Sequence, residues 1–101
     1  MKAISRGGTV SITETILLTN SQFKENFIQL RLVKFTNIAA FTIILFKYID
    51  RTKTSIPIYT LNLEAGDTIF DSTNYTLGIG ESLRASCDIT NTTFLVEATI
   101  E

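Results

Sequence analysis

Residues 94–100 alternate with a period of two: Phe94, Val96, Ala98 and Ile100 fall on one parity, Leu95, Glu97 and Thr99 on the other. A pleated strand places alternate side chains on opposite faces, so this spacing describes a strand with one apolar face. Residues 83–89 repeat it, with Leu83, Ala85, Cys87 and Ile89 set against Arg84, Ser86 and Asp88. The polar link "TNTT" (90–93) joins the two runs and predicts an antiparallel hairpin. A helix would need a 3.6-residue stripe, good helix formers and a cap, and no ten-residue window combines them.

The same period runs upstream less cleanly. Val10, Ile12, Ile16 and Leu18 share a parity that Glu14 interrupts. A carboxylate there predicts an edge, a bulge or two short strands, because an unpaired charge is costly inside. "NSQFKEN" (20–26) reads as a polar loop, 28–35 as a strand, and "TN" (36–37) as a turn. Residues 38–49 are apolar on both parities until Lys47. That suits a central strand covered on both sides, or one clamped by a neighbouring subunit. "DRTKTS" (50–55) is a charged loop, and 56–63 is a strand whose Pro57 sits near its start, where a missing N–H costs least. Short strands at 68–71 and 75–77 follow "EAGD" and "STN".

The apolar residues are of a telling kind: 14 Ile and 16 Thr stand against one Pro, one Met and no Trp. Stiff β-branched side chains fit a pleated surface better than a helix. Seven or eight short strands at spacings of roughly ten residues predict an all-β fold, a single antiparallel β-sandwich of jelly-roll or Ig-like type, spanning residues 1–101 as one domain.

Two glycine-plus-acid punctuations, Ala65-Gly66-Asp67 and Gly80-Glu81, lie at strand entrances. Gly66 and Gly80 are assigned to turns, where glycine adopts backbone angles closed to other residues. "GIGE" (78–81) lacks the lysine and the following helix that a phosphate loop needs.

The chain has no histidine. A Ser-His-Asp or Cys-His arrangement is therefore impossible, and the commonest general base is missing. Glu64, Asp67, Asp71 and Glu81 do not follow the spacing of a calcium loop, and turn geometry already accounts for "DSTN" (71–74). Paired carboxylates for glycoside hydrolysis find no support in the spacing. Cys87, the only cysteine, falls on an apolar row and reads as a small hydrophobe. No cofactor and no metal are expected, and the chain is expected not to be an enzyme.

The absence of a disulfide pattern and of a signal-peptide h-region behind "MKAISRGG" implies synthesis inside a cell. "IAAFTIILF" (38–46) falls far short of the roughly 20 residues of a membrane helix, so a soluble protein without a membrane partner is expected. "NYT" and "NTT" match the glycosylation pattern, as an Asn- and Thr-rich chain does by chance.

A net charge of −1 argues against nucleic acid as a partner. It hides an asymmetry: residues 1–60 carry eight basic and three acidic side chains, residues 61–101 one basic and seven acidic. Such blocks give either complementary patches that steer contacts with copies or partners, or nothing, if strands from both halves interleave. The charged turn residues Lys47, Arg51, Lys53, Asp67 and Asp71 are the candidates for an assembly surface.

The run "LNLEAGDTIFDSTNYTLGIGESLRASCDITNTTFLVEATI" resembles a pattern in small structural proteins of tailed-bacteriophage virions. There a strand leads into an "AG-acid-T" turn, then a short strand, a "G-acid" turn, an alternating strand and a closing strand. "LVKFTN" and the apolar run after it are similar to a strand-"TN"-strand section of the same proteins. The likeness covers residues 30–101 and is most specific at Ala65-Gly66-Asp67-Thr68 and Leu77-Gly78-Ile79-Gly80-Glu81. It implies a non-enzymatic virion component, made in the host cytoplasm and multi-copy or homo-oligomeric. Such a component binds other virion proteins: as an auxiliary or decoration protein it would hold the major capsid protein and stabilise the shell. A small neck, tail or fibre-attachment protein is the alternative. From a different class, a carbohydrate-binding or adhesion module would stack sugars on aromatics, for which the chain offers Tyr48, Tyr59 and Tyr75 but no Trp.

Overall fold

A computed structural model describes residues 2–20, 27–70 and 75–100. Among them are nine strands and no helix: β1 (Lys2–Val10), β2 (Thr15–Thr19), β3 (Phe27–Asn37), β4 (Phe41–Ile49), β5 (Thr54–Leu63), β6 (Gly66–Phe70), β7 (Thr76–Gly78), β8 (Glu81–Cys87) and β9 (Thr92–Ile100). They form two antiparallel sheets. One has the order β1-β9-β3-β6, with β7 also on β3, and the other has the order β2-β8-β4-β5. β6 and β7 occupy successive stretches of one edge, so the nine strands fill eight strand positions. Pairing β1 with β9, β2 with β8, β3 with β6 and β4 with β5 nests hairpins within hairpins. That is the rolled connectivity of a jelly roll and not an Ig-like order.

The alternation of 83–89 and 94–100 marks two real strands, β8 and β9, but the hairpin expected between them does not form. β8 lies between β2 and β4, whereas β9 lies between β1 and β3 in the other sheet. The 88–91 link therefore arches across the core. Two strands with one apolar face each can pair side by side or face each other, and a short polar link permits both. Of the connections inside the described residues, β4–β5 is a hairpin within one sheet.

β1 is the strand absent from the sequence reading. It forms the edge of its sheet and is exposed over most of its length, with Val10 buried and Ile4 resting on the core. An edge strand with one covered end has no reason to alternate. Glu14 lies exposed in the link between β1 and β2, which resolves its interruption of the apolar row into two short strands. β2 also carries a register shift between Ile16 and Leu18.

The core fills the space between the sheets. From the first sheet come Ile28, Leu30, Val33, Phe35, Val96 and Ala98; from the second come Leu17, Leu18, Phe41, Ile43, Leu45, Leu83 and Ala85. Burial of a side chain such as Phe35 or Ile43 contributes about 1.5–3 kcal/mol. One flank of the sandwich is closed by rings: Tyr59 of β5 meets Phe70 of β6 at 5.0 Å between centroids and Tyr75 at 5.9 Å. Both contacts are edge-to-face, an arrangement that suits the charge distribution of the rings.

The polar interior is held by paired groups. Asn37 ends β3, donates its amide hydrogens to the Thr92 hydroxyl at 2.7 Å and the Thr90 carbonyl at 3.0 Å, and accepts the Ala39 N–H at 3.1 Å. An Asx turn of this kind replaces backbone partners that the strand has run out of. The turn expected at 36–37 thus falls one step later, at 38–40, and its signal residue Asn37 organises it from within.

Candidate functional site

The strand ends gather the links of the sandwich into two opposite faces. The upper face holds the links 11–14, 38–40, 64–65 and 88–91. The lower face holds 50–53 and 79–80 together with the start of β1.

The sequence candidates divide between these faces. At the lower face, Arg51 and Lys53 occupy the β4–β5 turn, where Lys53 bonds Asp50 at 3.1 Å. That hydrogen bond, with the Asp50 charge, raises the Lys53 pKa. Lys47 points into the lower rim, half-buried, and pairs with Glu81 at 3.2 Å. The Glu81 carboxylate also accepts the Gly78 N–H at 2.7 Å, and the Asp50 N–H reaches the Gly80 carbonyl at 2.8 Å. At the upper face, Asp67 accepts a hydrogen bond from the Thr36 hydroxyl at 2.7 Å and lies 3.7 Å from Lys34. These hold its carboxyl below the usual range, the Thr36 bond contributing most. Asp71 lies outside the described residues. The two turn glycines carry the backbone the links need, with φ of +104° at Gly66 and +78° at Gly80.

The charges sort by face. The upper links carry Glu14, Glu64 and Asp88 and no Lys or Arg, although the Glu14 carboxylate leaves the face to accept the Ser55 hydroxyl of β5. Among the described residues, the lower face carries Lys2, Lys47, Arg51 and Lys53 against Asp50 and Glu81. The halves of the sequence do interleave, since β9 sits between β1 and β3 and β8 between β2 and β4. The asymmetry survives nonetheless, as a polarity along the strands.

Exposed apolar side chains mark the same surfaces. Ile38 at the upper face is 97% exposed and Ile12, in another upper link, 63%, while Ile79 at the lower face is 63% exposed. Ile38, first residue of the apolar run 38–49, stands not in a strand but on the turn that follows Asn37. On the outer face of the second sheet, Ile44, Phe46 and Tyr48 of β4 stay partly exposed. Register sets Phe46 between Pro57 and Arg84, and Arg84 opposite Ile16. The Arg84 guanidinium lies over the Tyr48 ring at 3.6 Å, the geometry of a cation–π contact. The two-sided apolar pattern of 38–49 thus has one side in the core and one side facing out.

Two open cavities flank the 40–42 segment. One of about 280 Å³ is lined by Ala40, Phe41, Thr42, Asn62, Leu63, Glu64 and Asp88. The other, of about 230 Å³, is lined by Ile12, Thr42, Ile44, Ser86, Cys87 and Asp88. Asp88 has a structural task in both: it accepts the Thr42 N–H at 2.8 Å, while the Asp88 N–H donates to the Thr42 carbonyl at 3.2 Å. The described residues contain no group of three acidic or cysteine side chains placed to hold a metal ion. Each tyrosine offered for sugar stacking has a neighbour on its ring: Tyr59 and Tyr75 are part of the aromatic flank, and Tyr48 is covered by Arg84. Burial, and then the Tyr59 hydroxyl, raise the Tyr75 pKa.

No protein-family model matches the chain, and no curated protein matches it in sequence. Among solved structures, a chain from Bacillus endospore appendages, described as a novel family of disulfide-linked pili, aligns over 99% of this chain and 87% of that one. The two share 11% identity and a TM-score of 0.44, values too low to carry a function across.

Proposed function

We propose that the protein is a non-enzymatic structural subunit that takes its place in a multi-copy assembly by docking the outer face of its β2-β8-β4-β5 sheet. The observation that carries this reading is the outward apolar row of exposed Ile16 and partly exposed Ile44 and Phe46 on the second sheet. A central strand whose outer side chains are this apolar gains most when a second protein excludes water from it. The resemblance of the turn pattern to small virion proteins of tailed bacteriophages supports a virion as the assembly, with the major capsid protein as partner beneath an auxiliary or decoration subunit. The jelly roll agrees by analogy, since viral shell proteins use it widely; the fold by itself fixes no role. Cys87 is 3% exposed, so its thiol is not presented to a neighbouring subunit.

The test is co-sedimentation with assembled shells of the major capsid protein of a tailed bacteriophage that carries this chain. Wild-type protein pellets with the shells. Ile44→Asp loses binding, while Ile69→Asp, on the outer face of the other sheet, keeps it. A wild-type chain that stays in the supernatant at every ratio overturns the capsid reading.

A further inference from the structure

We infer that the protein also binds a second copy of itself head to tail, with the acidic upper face of one copy seated on the basic lower face of the next. This rests on the structural-subunit reading and adds to it the partner and the two surfaces. The partner follows from charge. Glu64 and Asp88 stand in upper links that hold no cation, while Glu14 turns down to bond Ser55 of β5; Arg51 and Lys53 stand in the lower turn, and Lys2 starts β1 at the same face. β5 connects the two faces, with Glu64 just beyond one end and Lys53 just before the other, and its ten residues span roughly 30 Å. The screening length at about 0.1 M salt is about 10 Å, so the two faces do not neutralise each other within one molecule.

Each face also carries an apolar anchor for the contact. Ile38 is almost wholly exposed on the upper face, and Ile79 projects from the lower one. An isologous contact would set acid on acid or base on base, whereas the heterologous contact sets opposite charges together and leaves both outer ends open. The molecule measures 37 × 28 × 20 Å, and the long dimension matches the length of its strands. An end of 28 × 20 Å offers about 550 Å² per copy, or about 1,100 Å² for the pair, the lower edge of specific interfaces. The contact is therefore weak in isolation, salt-sensitive, and suited to an assembly that adds further contacts.

The experiment is sedimentation velocity across a concentration series, at about 20 mM and about 500 mM NaCl, with two exposed-site variants. The wild-type chain self-associates with rising concentration, and the higher salt weakens this about tenfold. Glu64→Lys and Arg51→Glu each suppress association at low salt, since each sets like charge on like. An equimolar mixture of the two restores it, because the reversed upper face of one variant matches the reversed lower face of the other. That restoration also shows that both variants are folded. Three outcomes overturn the inference: a monomer at all concentrations, suppression by Glu64→Lys without effect of Arg51→Glu, or no recovery on mixing. Shell binding is read separately, so a chain that pellets with shells yet never self-associates refutes this contact and leaves the proposed function standing.

Discussion

Replacing Asn37 with alanine tests how the upper face is held. Asn37 is 4% exposed and makes three hydrogen bonds, joining the end of β3 to the 38–40 turn and to the 88–92 arch. Alanine removes all three. The Ala39 N–H and Thr90 carbonyl lie in exposed links where water can replace the lost partner, so each costs about 0.5–1.5 kcal/mol. Thr92 is fully buried and keeps only the Cys87 sulfur, 3.1 Å from its oxygen. An under-satisfied buried hydroxyl adds about 1–3 kcal/mol. The expected loss is about 2–6 kcal/mol from a total stability of about 5–15 kcal/mol. In a domain of this size that lowers Tm by roughly 10–40 °C. Urea unfolding followed by far-ultraviolet circular dichroism gives the free energy directly. The double variant Asn37→Ala/Thr92→Val should cost about 1 kcal/mol less than the sum of the singles, because the two side chains share one bond. Asn37→Asp adds a pH test. It keeps the acceptor for Ala39 but sets a buried carboxylate against the Thr90 carbonyl, which raises its folded pKa. Its penalty is then smallest in acid and grows as pH rises through the unfolded carboxyl value of about 3.9. An Asn37→Ala protein within about 0.5 kcal/mol of wild type would refute this account of the upper face.

Three further outcomes are expected. Gly66→Ala costs about 1–3 kcal/mol in urea unfolding although nothing lies within 4 Å of the added methyl, because φ of +104° is closed to alanine; Gly80→Asn, at +78°, costs less. Cys87 does not react with a thiol reagent in the folded protein and reacts fully once urea unfolds it, so a fast native reaction would contradict its burial. The Asp67 carboxyl titrates by NMR below its unfolded value, and Thr36→Val moves it back up. Its stabilising effect is present above the unfolded pKa and lost as pH falls through the lower folded one.

Much of the strand content could be read from the chain because alternation is local. Phe94 to Ile100 and Leu83 to Cys87 announce their faces without knowing what they face. Pairing is not local, and this is why β8 and β9 looked like a hairpin yet lie in opposite sheets. β1 escaped notice because its covered residues are two in nine and its exposed ones follow no pattern. At the candidate surfaces, the outward apolar side of 38–49 was legible as a strand apolar on both parities. Ile38 was not, since an apolar residue next to an apolar strand gives no sign that it stands on a turn. The charge polarity was present as a block asymmetry, but its direction depends on which links share an end, and the roll of the sheets decides that. Lys47 and Lys53 read as free surface charges from sequence; the fold gives each a carboxylate within 3.2 Å.

β9 occupies the middle of its sheet, with β1 on one side and β3 on the other, and Lys2 lies opposite Ile100. β1 therefore has no partner in its sheet until β9 is in place. A nascent or prematurely ended chain lacking residues 92–100 has its first sheet split down the centre, with Ile28, Val33 and Phe35 facing water. Such fragments are open to proteolysis. The roll thus makes closure of the first sheet depend on a strand far from β1 in sequence.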